Sequence, residues 1–278
     1  FEKLPIAHIL YFDEKQLSVI LALYGFCAAA LPVWLLLLPR DYLSTYMKLG
    51  VILILTIGII VVRPTIQMPA ITEFVKGGGP VIQGKVFPFL FITIACGALS
   101  GFHSLISSGT TPKLIKSEKD ILPIGFGSML LEAFVAIIAL IAATVMPTAD
   151  YFAINSVPEL FSRLNMNPAE LPLLSSLVGE NLMHRPGGSV SLAAGMTYVF
   201  YKIPWLTHLM GFWYHFCIMF EALFILTTID AGTRIGRYLL QDLFGQSKKP
   251  AGKVRTWVNI IFFSALISAA WGFLLYSG

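Results

Sequence analysis

Charge is what this sequence has least of. Of its 278 residues 12% are charged and 56% hydrophobic, against roughly 25% charged in an ordinary soluble domain. A soluble chain of this size would have to bury several apolar runs of about 20 residues in one core, which surface-to-volume scaling argues against. The shortage of charge therefore excludes a soluble globular domain and points to an integral membrane protein. Cysteine is scarce too. Cys27, Cys96 and Cys217 fall in three different apolar runs, without the spacing of a disulfide framework or a metal site, and read as small hydrophobes packed between helices. The strict apolar–polar alternation of membrane β-strands is missing, which favours helices. Residues 1–17 are mixed and charged rather than a secretory leader, and no methionine precedes Met47; the chain reads as an internal piece of a longer one.

What is plentiful is apolar length. Six stretches, about 17–38, 46–62, 87–109, 121–146, 204–229 and 255–277, approach or exceed the length needed to cross a bilayer. They predict an all-α polytopic membrane protein, 1–278 forming a single transmembrane domain. Residues 39–45 (PRDYLST) read as a tight turn, and 63–86, with its prolines and Gly77, Gly78 and Gly79, as a loop. The long connection 147–203 is mixed, and its apolar run 171–178 reads as an interfacial or re-entrant helix. Basic residues crowd loops 39–45, 110–120 and 230–254 and the span edges beside them. The positive-inside bias makes that side cytoplasmic, so loops 63–86 and 147–203 are extracellular and the first span runs from outside to inside. This asymmetry accounts for the net charge of +4 and calls for no nucleic-acid partner.

Within the first span, Gly25, Ala28, Ala29 and Ala30 precede Pro32. Proline lacks an N–H and clashes with the preceding turn, so the helix must kink or break near 28–32. The reading is either a packing kink or a broken helix of the kind that presents backbone to substrates and ions in transporters. In the third span Gly97-x-x-x-Gly101 allows close helix approach, Ser100, Ser104 and Ser108 stack on one face, and His103 pairs with Ser107 beside them. Helix packing and a substrate or ion surface both fit. Glu132 and Glu221 lie within the fourth and fifth spans, where a carboxyl either loads and releases a proton or simply hydrogen-bonds a neighbouring helix. His208 and His215 are seven apart and share a face of one predicted helix, without the further ligands a metal or haem would need. Asp230 and Arg234, four apart, have the spacing of a pair at the membrane face, acting as anchor or gate; Arg40 and Asp41 pose the same choice at the end of the first span. A serine-protease reading of Leu99-Ser100-Gly101 with His103 lacks support elsewhere, and no enzyme is expected.

Three segments carry a resemblance: LPVWLLLLPRDYLSTYMKLG, FPFLFITIACGALSGFHSLISSGTTPK and FWYHFCIMFEALFILTTIDAGTR. With MPAITEF and GGGPVIQG between them, the chain resembles the carbon starvation protein family of bacterial inner-membrane transporters over essentially its whole length. The resemblance implies secondary active uptake of pyruvate or peptides under carbon limitation, with a proton or sodium as coupling ion, membrane lipid as surroundings, and no cofactor. A membrane nutrient sensor or a passive channel is the alternative. It also implies the inverted-repeat fold of the amino acid–polyamine–organocation superfamily, this chain supplying the second-repeat part and its first span the discontinuous helix that opens that repeat. On that basis Ala29, Ala30, Pro32, Ser100, His103 and Ser104 are expected to bind substrate, and Glu221, Glu132 or His103 to carry the proton. Arg40, Asp41, Asp230 and Arg234 are expected to form a cytoplasmic gate. Family members are longer than this chain.

Overall fold

Pro32 makes the first structural decision. In the computed structural model, which describes residues 12–88, 107, 111–244 and 253–277, helix α1 (Glu14–Ala30) stops two residues before that proline. Leu31 is extended, with φ −74° and ψ 155°, as the residue before a proline prefers. The chain then turns through 31–36 and enters α2 (Leu37–Val62). Pro39 falls in the first turn of α2, where its missing N–H is not needed, and the helix runs on without interruption. The turn expected at 39–45 is therefore helical. Its charged and polar residues suggested a connection between spans, but Arg40 and Asp41 find partners inside the protein.

Further α-helices among the described residues are α3 (Ile121–Val145), α4 (Thr148–Asn155), α5 (Pro158–Arg163), α6 (Leu171–Val178), α7 (Gly188–Tyr201), α8 (Met210–Leu243) and α9 (Lys253–Ser277). No strand occurs among the described residues. Four helical stretches, Leu37–Val62, Glu118–Val145, Pro204–Leu243 and Trp257–Ser277, are long and apolar enough to cross a membrane. Large apolar side chains on them face outward, such as Ile60, Leu122, Leu140 and Phe273. In water that surface would be costly, whereas lipid accepts it. The third expected span, 87–109, lies almost wholly outside the described residues, and with it Ser100, His103 and Ser104.

The chain divides into two compact units: Phe1–Leu43 with Phe102–Ile115 and Ile225–Gly278, and Ser44–Gly101 with Lys116–Phe224. In the first, α1 packs along α9 through small residues. A Cβ on Gly25 would lie 2.6 Å from the Trp271 ring, and one on Gly272 would lie 2.7 Å from the Ala22 methyl, so the two helices approach as closely as they do because side chains are missing there.

In the second unit α7 is the central element, buried without interruption from Ala193 to Phe200. Gly195 lets it sit directly on the Ala142 backbone of α3, and Phe200 fills the space beside Gly58. Residues 147–203, expected as a long loop, thus hold four helices. Their apolar runs are too short to span a bilayer but long enough to pack, and 171–178 is helical as the sequence suggested. Asp150 of α4 ties this region together: its carboxylate accepts the N–H of Ala169 at 2.7 Å and of Glu170 at 3.0 Å, closing the start of α6. Burial pushes the Asp150 carboxyl above the ordinary carboxylate value, against the opposing effect of those N–H groups.

Candidate functional site

The last two turns of α1 carry Gly25, Ala28 and Ala29, all buried, and side chains this small leave the backbone carbonyls open to other helices. A helix ends with carbonyls that have no partner of their own and with the negative pole of its dipole. Leu31 N–H closes one of them, on Cys27, at 2.9 Å. Two arginines of α8 take others. Arg234 Nη2 donates to the Ala28 carbonyl and, at 3.0 Å, to that of Leu31, while Arg237 Nη1 donates to the Ala29 carbonyl at 2.6 Å. Both arginines are 4% exposed, and neither pairs with a carboxylate among the described residues.

One turn back on α8, Asp230 is fully buried and meets Arg40 of α2 at 2.6 Å. The Tyr24 hydroxyl donates to the same carboxylate at 3.0 Å. Arg40 also reaches Asp41 at 2.8 Å, Thr227 Oγ1 at 3.1 Å and the Tyr24 hydroxyl, and Thr227 donates to Asp41 at 3.1 Å. The pairing suggested by spacing, Asp230 with Arg234 along α8, is not the one formed. Arg40 arrives from another helix at ion-pair distance, and Arg234 is drawn instead to the carbonyl end of α1. Three guanidiniums face two carboxylates here, and the dipole of α1 supplies the remaining negative potential.

Ala29, Ala30 and Pro32 therefore lie at a helix break that also gathers Arg40, Asp41, Asp230 and Arg234. Arg237, Tyr24 and Thr227 were missed. The signal for Arg237 was present: Asp230, Arg234 and Arg237 stand at i, i+4 and i+7, one helical face. It was hidden because 230–254 read as a cytoplasmic loop, whereas α8 continues to Leu243. Glu221 is half-buried on α8 and Glu132 is exposed on α3; both belong to the second unit, the break to the first. His208 sits in a 3-10 turn (Pro204–Leu209) ahead of α8 rather than on the helix of His215, because Pro204 opens a tighter turn there. His215 lies 3.8 Å from Glu180, which also binds Arg185. No group of His, Cys, Asp and Glu suited to a metal ion occurs among the described residues.

Residues 2–278 match the family model described as Carbon starvation protein CstA. The chain belongs to that family. Among its relatives, a protein of Bacillus subtilis named peptide transporter CstA is 56% identical over 273 residues, 98% of this chain and 46% of that protein. An Escherichia coli protein of the same name is 47% identical over 289 residues, covering 96% of this chain and 41% of its own length. A second Escherichia coli family member, named pyruvate/proton symporter BtsT, is 44% identical over 305 residues, 97% of this chain and 42% of that protein. The chain thus spans less than half the length of these family members. No solved structure matches it.

Proposed function

We propose that this chain is part of a secondary active transporter of the bacterial inner membrane that takes up pyruvate or short peptides with protons during carbon starvation. One observation carries the reading: Arg40, Asp230, Arg234 and Arg237 are gathered at a break between two helices, in a chain whose long helices turn apolar side chains outward. Buried charge at membrane depth is costly and is retained where something charged must pass or bind. The names of the relatives support the substrate classes and the proton, since one is named for pyruvate and protons and others for peptides.

In this reading six spans form the second-repeat part of an inverted-repeat fold, with 63–86 and 147–203 on the extracellular side and 230–254 on the cytoplasmic side. The substrate carboxylate lies beside Ala29, Ala30 and Pro32, near N–H groups at the start of α2, with Ser100, His103 and Ser104 completing the pocket. Glu221, Glu132 or His103 carries the proton. Arg40, Asp41, Asp230 and Arg234 act as the cytoplasmic gate, opened by exchanging the Arg40–Asp230 pair for other partners. The deciding experiment is uptake of labelled pyruvate by the full-length protein in proteoliposomes, with and without an inward proton gradient and with a dipeptide competitor. Gradient-driven accumulation of either substrate supports the transporter. Saturable binding without flux would replace it with a sensor, and flux that never accumulates with a channel.

A further inference from the structure

Broken helices in membrane transporters offer two kinds of end. N–H ends attract anions, and carbonyl ends, together with unwound backbone, coordinate the coupling cation. The carbonyl end of α1 is of the second kind. It lies at a proline-made break, and its buried residues, Gly25, Ala28 and Ala29, are small. Yet most of its acceptors already have donors. Arg234 holds the carbonyls of Ala28 and Leu31, Arg237 holds that of Ala29, and the Cys27 carbonyl is used by the chain itself.

Both arginines are buried, and among the described residues neither lies at ion-pair distance from a carboxylate. A buried charge needs a compensating partner, and the negative pole of α1 is what these two meet. The converse holds as well: with two fixed positive charges against it, this end repels a free cation and has few acceptors left to offer one. A sodium ion takes several oxygens at once, and three of those at this end already accept from guanidiniums.

We infer that Arg234 and Arg237 are built-in cations that stand where a coupling sodium would otherwise bind, so that the α1 break takes no sodium and uptake does not depend on it. The inference rests on the transporter reading above and extends it by settling which ion is refused at this site and which residues refuse it. Arg234 and Arg237 are specificity-determining residues here, acting through the backbone they hold.

The test uses the full-length protein in two formats, one of which needs no transport. Binding of radioactive sodium to the purified protein in detergent is measured for wild type, Arg234→Ala/Arg237→Ala and Arg234→Lys/Arg237→Lys. Wild type and the lysine variant are expected to bind none, while the alanine variant gains saturable sodium binding. Uptake of labelled pyruvate and of a labelled dipeptide is measured in sodium chloride and in choline chloride. Wild-type uptake is expected to be equal in the two salts. The alanine variant is expected to lose about tenfold in choline, equivalent to about 1.4 kcal/mol, and to recover in sodium or added guanidinium. A loss of packing alone would not create a response to sodium.

Saturable sodium binding by wild type, or wild-type uptake that requires sodium, overturns the inference. So does a folded alanine variant that neither binds sodium nor responds to it. If the alanine variant does not fold, the lysine variant decides, because one ammonium in place of each guanidinium keeps the charge, and sodium binding by that variant sinks the idea. Absence of uptake of both probes in both salts would instead defeat the transporter reading, and the binding measurement would still judge the arginines.

Discussion

The end of α1 and the start of α6 are both closed by charged side chains brought from elsewhere in the chain, and the charges have opposite signs. At α1 two arginines of α8 hold the carbonyls of Ala28, Ala29 and Leu31. At α6 the carboxylate of Asp150 holds the N–H groups of Ala169 and Glu170. Each charge matches the helix pole it meets, cation at the C-terminal end and anion at the N-terminal end. The difference lies in what surrounds them. Asp150 acts alone within short packed helices, so its work is to finish one helix. The arginines sit beside a further ion pair, Arg40–Asp230, whose carboxylate is fully buried, at the helix break. More charge is assembled there than closing a helix requires.

The sharpest way to break this comparison is to remove one member of the buried pair. Asp230→Ala takes the fully buried carboxylate from Arg40, which is 19% exposed and keeps Asp41, and should cost about 2–3 kcal/mol. Asp41→Ala removes the other carboxylate on Arg40, which is 28% exposed, and the loss should stay below about 1 kcal/mol. Thermal unfolding of the purified protein in detergent measures both. Equal losses would mean that the two carboxylates share one environment and that the charge excess is a surface feature.

Next in size is Asp150→Ala, which removes the acceptor of two part-buried N–H groups and should cost about 1–2 kcal/mol. Asp150→Asn keeps an acceptor and should cost visibly less. A loss in uptake larger than the loss in stability would move Asp150 from helix closure to function and erase the contrast. A smaller effect is expected from Tyr198→Phe. The Tyr198 hydroxyl accepts from Gln67 Nε2 at 2.6 Å and donates to Glu170 at 3.3 Å, linking residue 67 to the start of α6. Its removal should cost about 1 kcal/mol and leave substrate affinity unchanged.

How much of this was legible in the sequence differs between the two ends. The α1 break was readable because proline acts locally: Pro32 cannot donate, and Ala28 to Ala30 mark where backbone would be bare. The partners of that break were only half readable. Arg40, Asp41, Asp230 and Arg234 stood out as charges at span edges, but which of them pair is set by how helices from distant parts of the chain pack, and i, i+4 spacing pointed to the wrong partner for Asp230. Arg237 was lost with the assumption that α8 ends near 229. At α6 the sequence offered almost nothing, because Asp150 lies nineteen residues before the N–H group it accepts from Ala169. The helices of 147–203 were read as loop for a related reason: each is too short to declare itself by hydropathy, and their burial comes from packing on α7. The polar third span, 87–109, remains an expectation of the sequence alone.

The finest test of the comparison is the pH dependence of Asp150. Burial outweighs its two N–H bonds, so the folded carboxyl titrates above its ordinary value of 3.8. The folded state then binds the proton more tightly than the unfolded state, and over that window it carries the larger number of protons. Stability from this group is complete below pH 3.8 and is lost as pH rises through the folded value. The opposite sign would hold if the N–H bonds dominated, as they do for an exposed N-cap. Unfolding temperatures of wild type and Asp150→Asn, followed upward from acid pH, separate the two: the difference between them should move against wild type as pH rises through the window. A difference that moves in favour of wild type would show that the helix pole, rather than burial, governs this carboxylate, and the start of α6 would then stabilise its charge as fully as the end of α1 does.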